Sequence, residues 1–490
     1  TIGSTTPAGS TTTSEVEPEG VEAAPVEAEA GSAPATAAVP EWFEGTVDEF
    51  YVVPDPLPAG EPGELIRLQQ VSATTTHTTL RIMYHSRDAA DVDRAVTGKV
   101  TYPNATPPPG GWPVVSWAHG TTGMATQCAP SRSGRSISTF GVDGVAVESD
   151  YIGLGPVGEL HPYLSRLSEG HSVIDAVRAA RNIPDAHASN TWVAIGGSQG
   201  GHGAMSANEL GQSYAPELDL RGAVAAAPGA MFNETYPVGL DPFVYRVTGA
   251  MLLFGAATEH AEIDPADYVS PEGLAAAEAM KTGCLTEITV AVLGVPFDSF
   301  YEDDPALTEP ARSILSANDV GHVRVTSPLL LIQGTADTTV VPERTRDLYA
   351  RLCTNQQTTE YIEYEGADHG NIFGHASAEV TEWLNQRLDG APARSTCEPV
   401  ETPVVLPGVG EVRECAAGSD QLRVPITLSA PSERPVTVKW LTGFVPGLAG
   451  QAEPGADYAP NGGEVTFQPG ETATSVPVPI TCDHTAEGAE

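Results

Sequence analysis

Positive charge is scarce in this chain. Of 490 residues, 24 are Lys or Arg against 64 Asp or Glu, a formal net charge of −40 at pH 7. Such a surface repels phosphate backbones and anionic headgroups, which excludes nucleic acid as a partner and argues against an anionic lipid surface. A neutral substrate fits it better, and the acidic excess suits solubility in salty surroundings. Long apolar runs are also missing. The longest includes residues 251–257, far short of the roughly 18 needed to cross a bilayer, so no transmembrane segment is expected. No C-x-x-C occurs among the six cysteines, which removes the usual zinc and thiol-redox patterns, and neither a metal site nor a cofactor is expected for the main body of the chain. Residues 1–40 lack Lys, Arg and every aromatic type. A segment of Thr, Ser, Ala, Pro, Gly and Glu cannot bury enough apolar surface to offset its ordering entropy, so it is expected to be a disordered acidic linker, with order beginning near Trp42.

What is present is a set of strand ends that carry chemistry. Residues 191–203 read Thr-Trp-Val-Ala-Ile-Gly-Gly-Ser-Gln-Gly-Gly-His-Gly. An apolar run, a G-x-S-x-G and a helix-competent segment place Ser198 on a sharp strand-to-helix turn. Gly196 and Gly200 flank the bend, where a Cβ would collide with the neighbouring strand or helix. The pattern recurs by chance in glycine-rich chains; its weight comes from two further segments downstream. Residues 328–342 give an apolar strand, a break at Gly334 and then Asp337, and residues 359–370 give an alternating strand, a glycine break and His369. A serine hydroxyl is a poor nucleophile until a base takes its proton. Imidazole does so near neutral pH, and a carboxylate fixes its tautomer. Ser198, Asp337 and His369 therefore form the candidate triad, in that chain order. Asp368 precedes His369 too closely to face it. His375, near the start of a final helix over 376–388, reads as a capping or surface residue, and His202 as a side chain that packs or hydrogen-bonds locally. The developing oxyanion needs inward-pointing donors. The N–H of Gln199 is one; the other is expected from the loop 121–123 after the strand 114–118, with Thr122 chosen. Asp150, after the fourth strand, is expected to brace a loop.

The alternation of strands (80–84, 96–102, 114–118, 142–147, 192–195, 222–226, 329–332, 360–364) with helices such as 172–181 and 201–210 predicts an α/β fold. In it a doubly wound, mostly parallel sheet carries helices on both faces and catalytic loops at the strand carboxyl ends. The interval 229–325 breaks the rhythm after the sixth strand. Its helical segments 243–258, 271–282 and 285–293 predict a cap inserted over Ser198, with Met231, Phe232, Leu252, Leu253 and Phe254 as candidate lining or cap-core residues.

Several stretches resemble the secretory lipase family of α/β-hydrolases: Val-Val-Ser-Trp-Ala-His-Gly-Thr-Thr-Gly (114–123), Cys-Ala-Pro-Ser (128–131), Glu-Ser-Asp-Tyr-Ile-Gly-Leu-Gly (148–155) and Glu-Gly-His-Ser-Val-Ile-Asp-Ala-Val-Arg-Ala-Ala-Arg (169–181). Gly-Gly-Ser-Gln-Gly-Gly-His (196–202), Ala-Asp-Thr-Thr-Val-Val-Pro (336–342) and Asp-His-Gly (368–370) continue the series. The resemblance spans about residues 42–390. It implies hydrolysis of carboxylic esters through an acyl-enzyme, beneath a cap, on substrates from long-chain glycerides to short esters. Some members pass the acyl group to alcohols. The chain departs from many hydrolases in having Gly197 where His or Tyr is common.

An even number of cysteines in a chain rich in Gly and Pro suits disulfides in an exported protein. Cys128–Cys284, Cys353–Cys397 and Cys415–Cys482 are the preferred pairs, the last because both partners lie in one small domain. The opening at Thr1 without a signal peptide fits a processed, exported form or a trimmed chain. After the hydrolase region (41–390) and a linker (391–410), residues 411–490 change to short alternating runs at 422–428, 436–440, 464–467 and 475–480, as in a β-sandwich. Segments 428–438, 455–458 and 465–472 resemble a Calx-β domain, a family of adhesive and extracellular proteins. That implies contact with a cell surface or matrix. Asp457 and Asp483 match its acidic positions, but two carboxylates make a poor Ca²⁺ cage, and the module ends at Glu490 before the final turn and strand of that pattern.

The expected function is that of a secreted serine ester hydrolase acting on a neutral ester or lipid. Acyl transfer at the same site is one alternative, and peptide hydrolysis a weaker one. A surface adhesion protein with a vestigial hydrolase domain is the rival from another class.

Overall fold

The computed structural model describes residues 40–235, 242–296, 299–397, 404–408, 418–432, 435–442 and 458–482. The expected disordered segment 1–40 (save Pro40), Asp457, Asp483 and the pair Cys415–Cys482 lie outside the described residues, Cys482 by its side chain.

A sheet in the order β1-β2-β3-β4-β6-β5-β7-β8-β9-β10 organises the chain. Its strands are β1 (Glu41–Trp42), β2 (Leu65–Ala73), β3 (His77–Arg87), β4 (Asp93–Pro103), β5 (Trp112–Ala118), β6 (Val145–Ser149), β7 (Ala188–Gly197), β8 (Asp219–Ala226), β9 (Leu329–Gly334) and β10 (Thr359–Tyr364). The pairs from β6 through β10 are all parallel, whereas β2, β3, β4 and β6 join antiparallel. The sheet is thus mixed, with the parallel half carrying the candidate residues. The alternation of the sequence marks β3 and β4 but not β2, whose polar Arg67, Gln69 and Gln70 dilute its apolar face; Arg67 is nonetheless drawn inward to Glu41 and to the carbonyls of Phe50 and Val52.

Burial explains the parallel strands. Leu329–Ile332 is buried on both faces, as a continuous apolar run in a helix-covered sheet must be. One layer holds α1 (Arg166–Arg181) and α2 (Gln199–Tyr214), which pack on each other and on β5 and β7. α7 (Pro342–Thr354) packs against β9 and β10, and α8 (Ser377–Leu388) covers β7 and β8 with Val380, Trp383 and Leu384.

Between β8 and β9 the chain leaves the sheet. This interval contains α3 (Pro242–Glu259), α4 (Pro271–Ala277), α5 (Leu285–Leu293) and α6 (Ala311–Asn318). They close around their own apolar cluster, which includes Phe232, Leu252, Leu253, Met280, Ile288 and Phe300 together with Met124, Tyr163 and Leu164 from the sheet side. Phe232, Leu252 and Leu253 are therefore cap core, Phe254 packs half-buried at its edge, and Met231 joins the main core. The two ends of the interval meet at Asp319, whose Oδ1 accepts from Met231 N at 2.7 Å while Oδ2 takes the Arg351 guanidinium at 2.6 Å.

Two disulfides lock this arrangement. Cys353–Cys397 fastens residues beyond α8 to α7, where Thr396 also bonds to Thr359 and Tyr361 of β10. Cys128–Cys284 joins the loop after β5 to the start of α5, 156 residues apart in sequence. Further on lie β11 (Val405–Pro407), β12 (Gly418–Leu428) and β15 (Ala473–Cys482) in one antiparallel sheet, and β13 (Val436–Leu441) with β14 (Gly462–Phe467) in another. Ile426, Leu428, Phe467 and Val476 are buried between them.

Candidate active site

The parallel register sets the stage. Ala118, Gly196, Ala225 and Leu331 are successive partners across β5, β7, β8 and β9, so the loops leaving these strands emerge side by side. The bend after β7 is tight. A Cβ on Gly196 would sit 2.1 Å from the Gly200 carbonyl oxygen, and one on Gly200 would sit 1.9 Å from that of Ala118. These two positions accept no side chain, which is why the G-x-S-x-G pattern works here. Ser198 itself has φ +58° and ψ −123°, a conformation costly for any non-glycine residue and kept because the surroundings over-determine it. Its N–H donates to Ala226 O at 2.9 Å, its carbonyl accepts from Gly229 N at 3.0 Å, and its side chain makes no capping bond to α2.

At the end of β9, Asp337 is buried. Oδ1 accepts from the amides of Thr339 (2.8 Å) and Val340 (2.9 Å); Oδ2 lies 2.7 Å from His369 Nδ1. A proton on Nδ1 directed at that oxygen leaves Nε2 with its lone pair free to accept. The structure thus brings Asp337 and His369 into direct contact. Their link to the Ser198 turn is packing: Phe373, four residues after His369, lies so close to Gly197 that a Cβ there would come within 2.8 Å of its ring. Phe373 in turn contacts Trp117 and Phe140 at ring-centroid distances of 5.3 and 5.6 Å. The missing side chain at Gly197 has a purpose: it makes room for the ring that seats the His369 loop.

The loop after β5 lies against the same turn. A Cβ on Gly120 would be 3.4 Å from the Gly197 carbonyl oxygen and 4.0 Å from Ser198 Cβ. Gln199 opens α2, so its N–H has no intrahelical partner. Thr122 is turned toward the cap, its carbonyl accepting from Leu285 N at 2.8 Å and its hydroxyl buried without a partner among the described residues. Gly123 pairs with Cys284, where a Cβ would meet Cys128 Sγ at 2.7 Å. The Cys128–Cys284 bond therefore fixes the loop that faces Ser198 as well as the cap. Replacing both cysteines by serine is expected to cost about 2–5 kcal/mol of stability, read from urea unfolding. An unchanged urea midpoint would show that the backbone bond from Leu285 to Thr122 suffices.

The neighbours considered as rivals have other work. Asp368 caps the turn after it, accepting from Gly370 N and Asn371 N. His375 is exposed in the short helix Ile372–His375. His202 bonds to Glu169 and to the Asn318 carbonyl. Asp150 braces its loop by accepting from Thr97 Oγ1 and from the amide and hydroxyl of Ser131. Sequence reasoning assigns no role to Glu169, to His161 or to Phe373; pairing of the buried polar residues is invisible until α1 is laid beside α2.

The sequence pattern of the secretory lipase family matches residues 135–396, more than half of the chain. Over 420 residues the chain is 23% identical to a probable inactive lipase of Mycobacterium tuberculosis, covering 76% of this chain and 89% of that protein. Over 262 residues it is 24% identical to a secreted triacylglycerol lipase of Malassezia globosa, covering 49% of this chain and 53% of that protein. Among solved structures, Candida antarctica lipase A in its closed state superposes with a TM-score of 0.60 at 18% identity, over 71% of this chain and 87% of that one. The rice cell wall degrading esterase of Xanthomonas oryzae does so with a TM-score of 0.57 at 19% identity, over 68% of this chain and all of that one. With the α/β-hydrolase sheet, the inserted cap and a family pattern that covers the cap and strands β6 to β10, the chain belongs to the secretory lipase family.

Proposed function

We propose that the protein is a secreted carboxylic ester hydrolase with Ser198 as nucleophile, His369 as base and Asp337 as the group that orients it. The observation that supports this most is the 2.7 Å contact of Asp337 with His369 Nδ1, on strand ends beside the strained turn that carries Ser198. In this reading Ser198 Oγ adds to the ester carbonyl as His369 Nε2 takes its proton, and the imidazolium returns that proton to the leaving alcohol. Water then repeats the sequence on the acyl-enzyme. The Gln199 N–H and an amide of the loop that holds Gly120 and Thr122 stabilise the oxyanion. The route requires no metal or cofactor. A surface with net charge −40 favours a neutral ester or lipid over an anionic one. Export is supported by the secretory family, by the secreted relative and by the two disulfides; no helix among the described residues is long and apolar enough to cross a membrane. The C-terminal sheets fit a Calx-β-like module (411–490) joined through the linker 391–410, and contact with a cell surface or matrix would fall to it.

A fluorophosphonate probe, followed by peptide mass spectrometry, tests the nucleophile. Attachment at Ser198, with hydrolysis of a p-nitrophenyl ester series from acetate to oleate, is the expected result; the series also gives the acyl length. The likeness to a probable inactive lipase favours one second reading, a lipase fold kept for adhesion. A folded protein that neither takes the label nor cleaves any ester would remove the hydrolase reading, and binding of that protein to a cell surface or matrix would then support this one. Added alcohols that divert product from acid to new ester would assign acyl transfer to the same residues.

A further inference from the structure

Behind the Ser198 turn lies a cluster of titratable side chains that the acyl-enzyme route leaves without a task. Glu169 of α1 is fully buried. Its Oε1 accepts from Gln199 Nε2 at 2.7 Å and from Leu164 N at 3.0 Å, and its Oε2 lies 2.8 Å from His202 Nδ1. His202 Nε2 lies 2.9 Å from the Asn318 carbonyl. Both nitrogens of this imidazole therefore face acceptor oxygens, a pattern that only the doubly protonated ring satisfies. His161 completes the set, with Nδ1 at 2.7 Å from the Ile152 carbonyl and Nε2 at 2.7 Å from Gln199 Nε2.

Burial opposes charge on both partners, and pairing overrides it. Desolvation pushes the Glu169 carboxyl up, but the imidazoles of His161, 3.5 Å away, and His202 bring it down to about 2. Desolvation pushes His202 down, but the Glu169 carboxylate and the Asn318 carbonyl hold it above its usual 6.5, and Asp319 adds to this from the cap base. Asp319 is itself paired with Arg351. The other groups facing the pair are Glu209 of α2 and the Tyr151 hydroxyl, whose ionisation Glu169 opposes.

The placement gives the cluster its meaning. His202 N bonds to Ser198 O at 3.2 Å, so the ring stands on the first turn of α2, and Gln199 owns the N–H assigned to the oxyanion. We propose that Glu169 is a positioning residue for this turn. Its carboxylate grips the Gln199 amide and the His202 imidazolium together, fixing the direction of the Gln199 N–H and the Ser198 side chain. Through Asn318 it ties them to the base of the cap. The inference rests on Ser198 being the nucleophile.

The pH dependence has a definite sign. The contribution of Glu169 is complete above its ordinary 4.5 and is lost as pH falls toward 2; that of His202 is complete below 6.5 and is lost as pH rises through its raised value. The grip is therefore strongest between those two ordinary values, and kcat should fall on the alkaline side as His202 gives up its proton.

The test compares kcat, KM and the rate of fluorophosphonate labelling of wild type and Glu169→Gln across pH. The amide keeps the shape and can still accept from Gln199 and Leu164, while His202 turns neutral and accepts at Nδ1. The variant is expected to hold KM within about twofold and to lose on the order of 10- to 100-fold in kcat, the scale of a small misplacement of reacting groups. It should also lose the alkaline fall of kcat, which Glu169→Asp should keep. A Glu169→Gln protein with wild-type kcat and profile overturns the proposal. So does a wild-type kcat that shows no alkaline fall up to the pH at which the protein unfolds; this measurement decides even if the variant does not fold. A wild type that takes no label at Ser198 removes the nucleophile reading instead, so the two failures are told apart.

Discussion

Ser198→Ala is expected to abolish ester turnover, with kcat falling by about a million-fold, the scale seen when a serine hydrolase loses its nucleophile. The change removes one oxygen that makes no capping bond in the folded chain. The backbone hydrogen bonds of the turn, from Ser198 N to Ala226 and from Gly229 N to Ser198 O, do not involve the side chain. Alanine meets the same cost at φ +58° that serine already bears. The melting temperature should thus stay within about 2 °C of wild type, and KM should hold, because the cap and its core are untouched. Loss of activity without loss of fold separates a chemical role from a structural one. Turnover retained in the alanine variant would refute the nucleophile assignment outright.

The parts of this protein that can be read from sequence are those where one residue's local setting determines its role. The Ser198 turn is of this kind: Gly196 and Gly200 are required by backbone approaches within a few residues of the serine or across one strand. The parallel strands are another, because burial on both faces leaves an uninterrupted apolar run. The cap is located by the interval it fills, and three of its lining candidates, Phe232, Leu252 and Leu253, prove to be its own core, since an inserted helical layer must first bury itself. Other features depend on partners distant in the chain. Nothing near Gly197 announces that Phe373 occupies its empty space. Glu169 sits in a helix that also carries Arg166, Asp175, Arg178 and Arg181, and nothing local separates it from them until α1 is packed on α2. The strand β2 escapes the pattern because Arg67 and Gln69 look solvent-facing until their surroundings are in place, Glu41 and the Phe50 carbonyl for Arg67 and the Gly45 carbonyl for Gln69.

Asp337→Asn is expected to lower kcat by about ten-thousand-fold, the cost of holding the base in the wrong tautomer. The geometry leaves the amide one orientation. Oδ1 of Asp337 accepts from two backbone amides, Thr339 and Val340, so the asparagine oxygen must occupy that position and its NH2 must point at His369. Two donors cannot face each other at 2.7 Å; the imidazole has to give up its Nδ1 proton and carry it on Nε2 instead. In the proposed triad that nitrogen then faces the Ser198 hydroxyl as a donor and cannot take its proton. Gln333 Nε2, which donates to the same carboxylate oxygen at 3.3 Å, would oppose the new NH2 as well, so a modest loss of stability should accompany the loss of rate. Because the defect is one of protonation, raising the pH should restore part of the activity as hydroxide replaces the base, whereas it should restore nothing in Ser198→Ala. A pH–rate profile of the two variants side by side distinguishes them. An Asp337→Asn protein with wild-type kcat at neutral pH would mean that His369 is oriented by something other than this carboxylate.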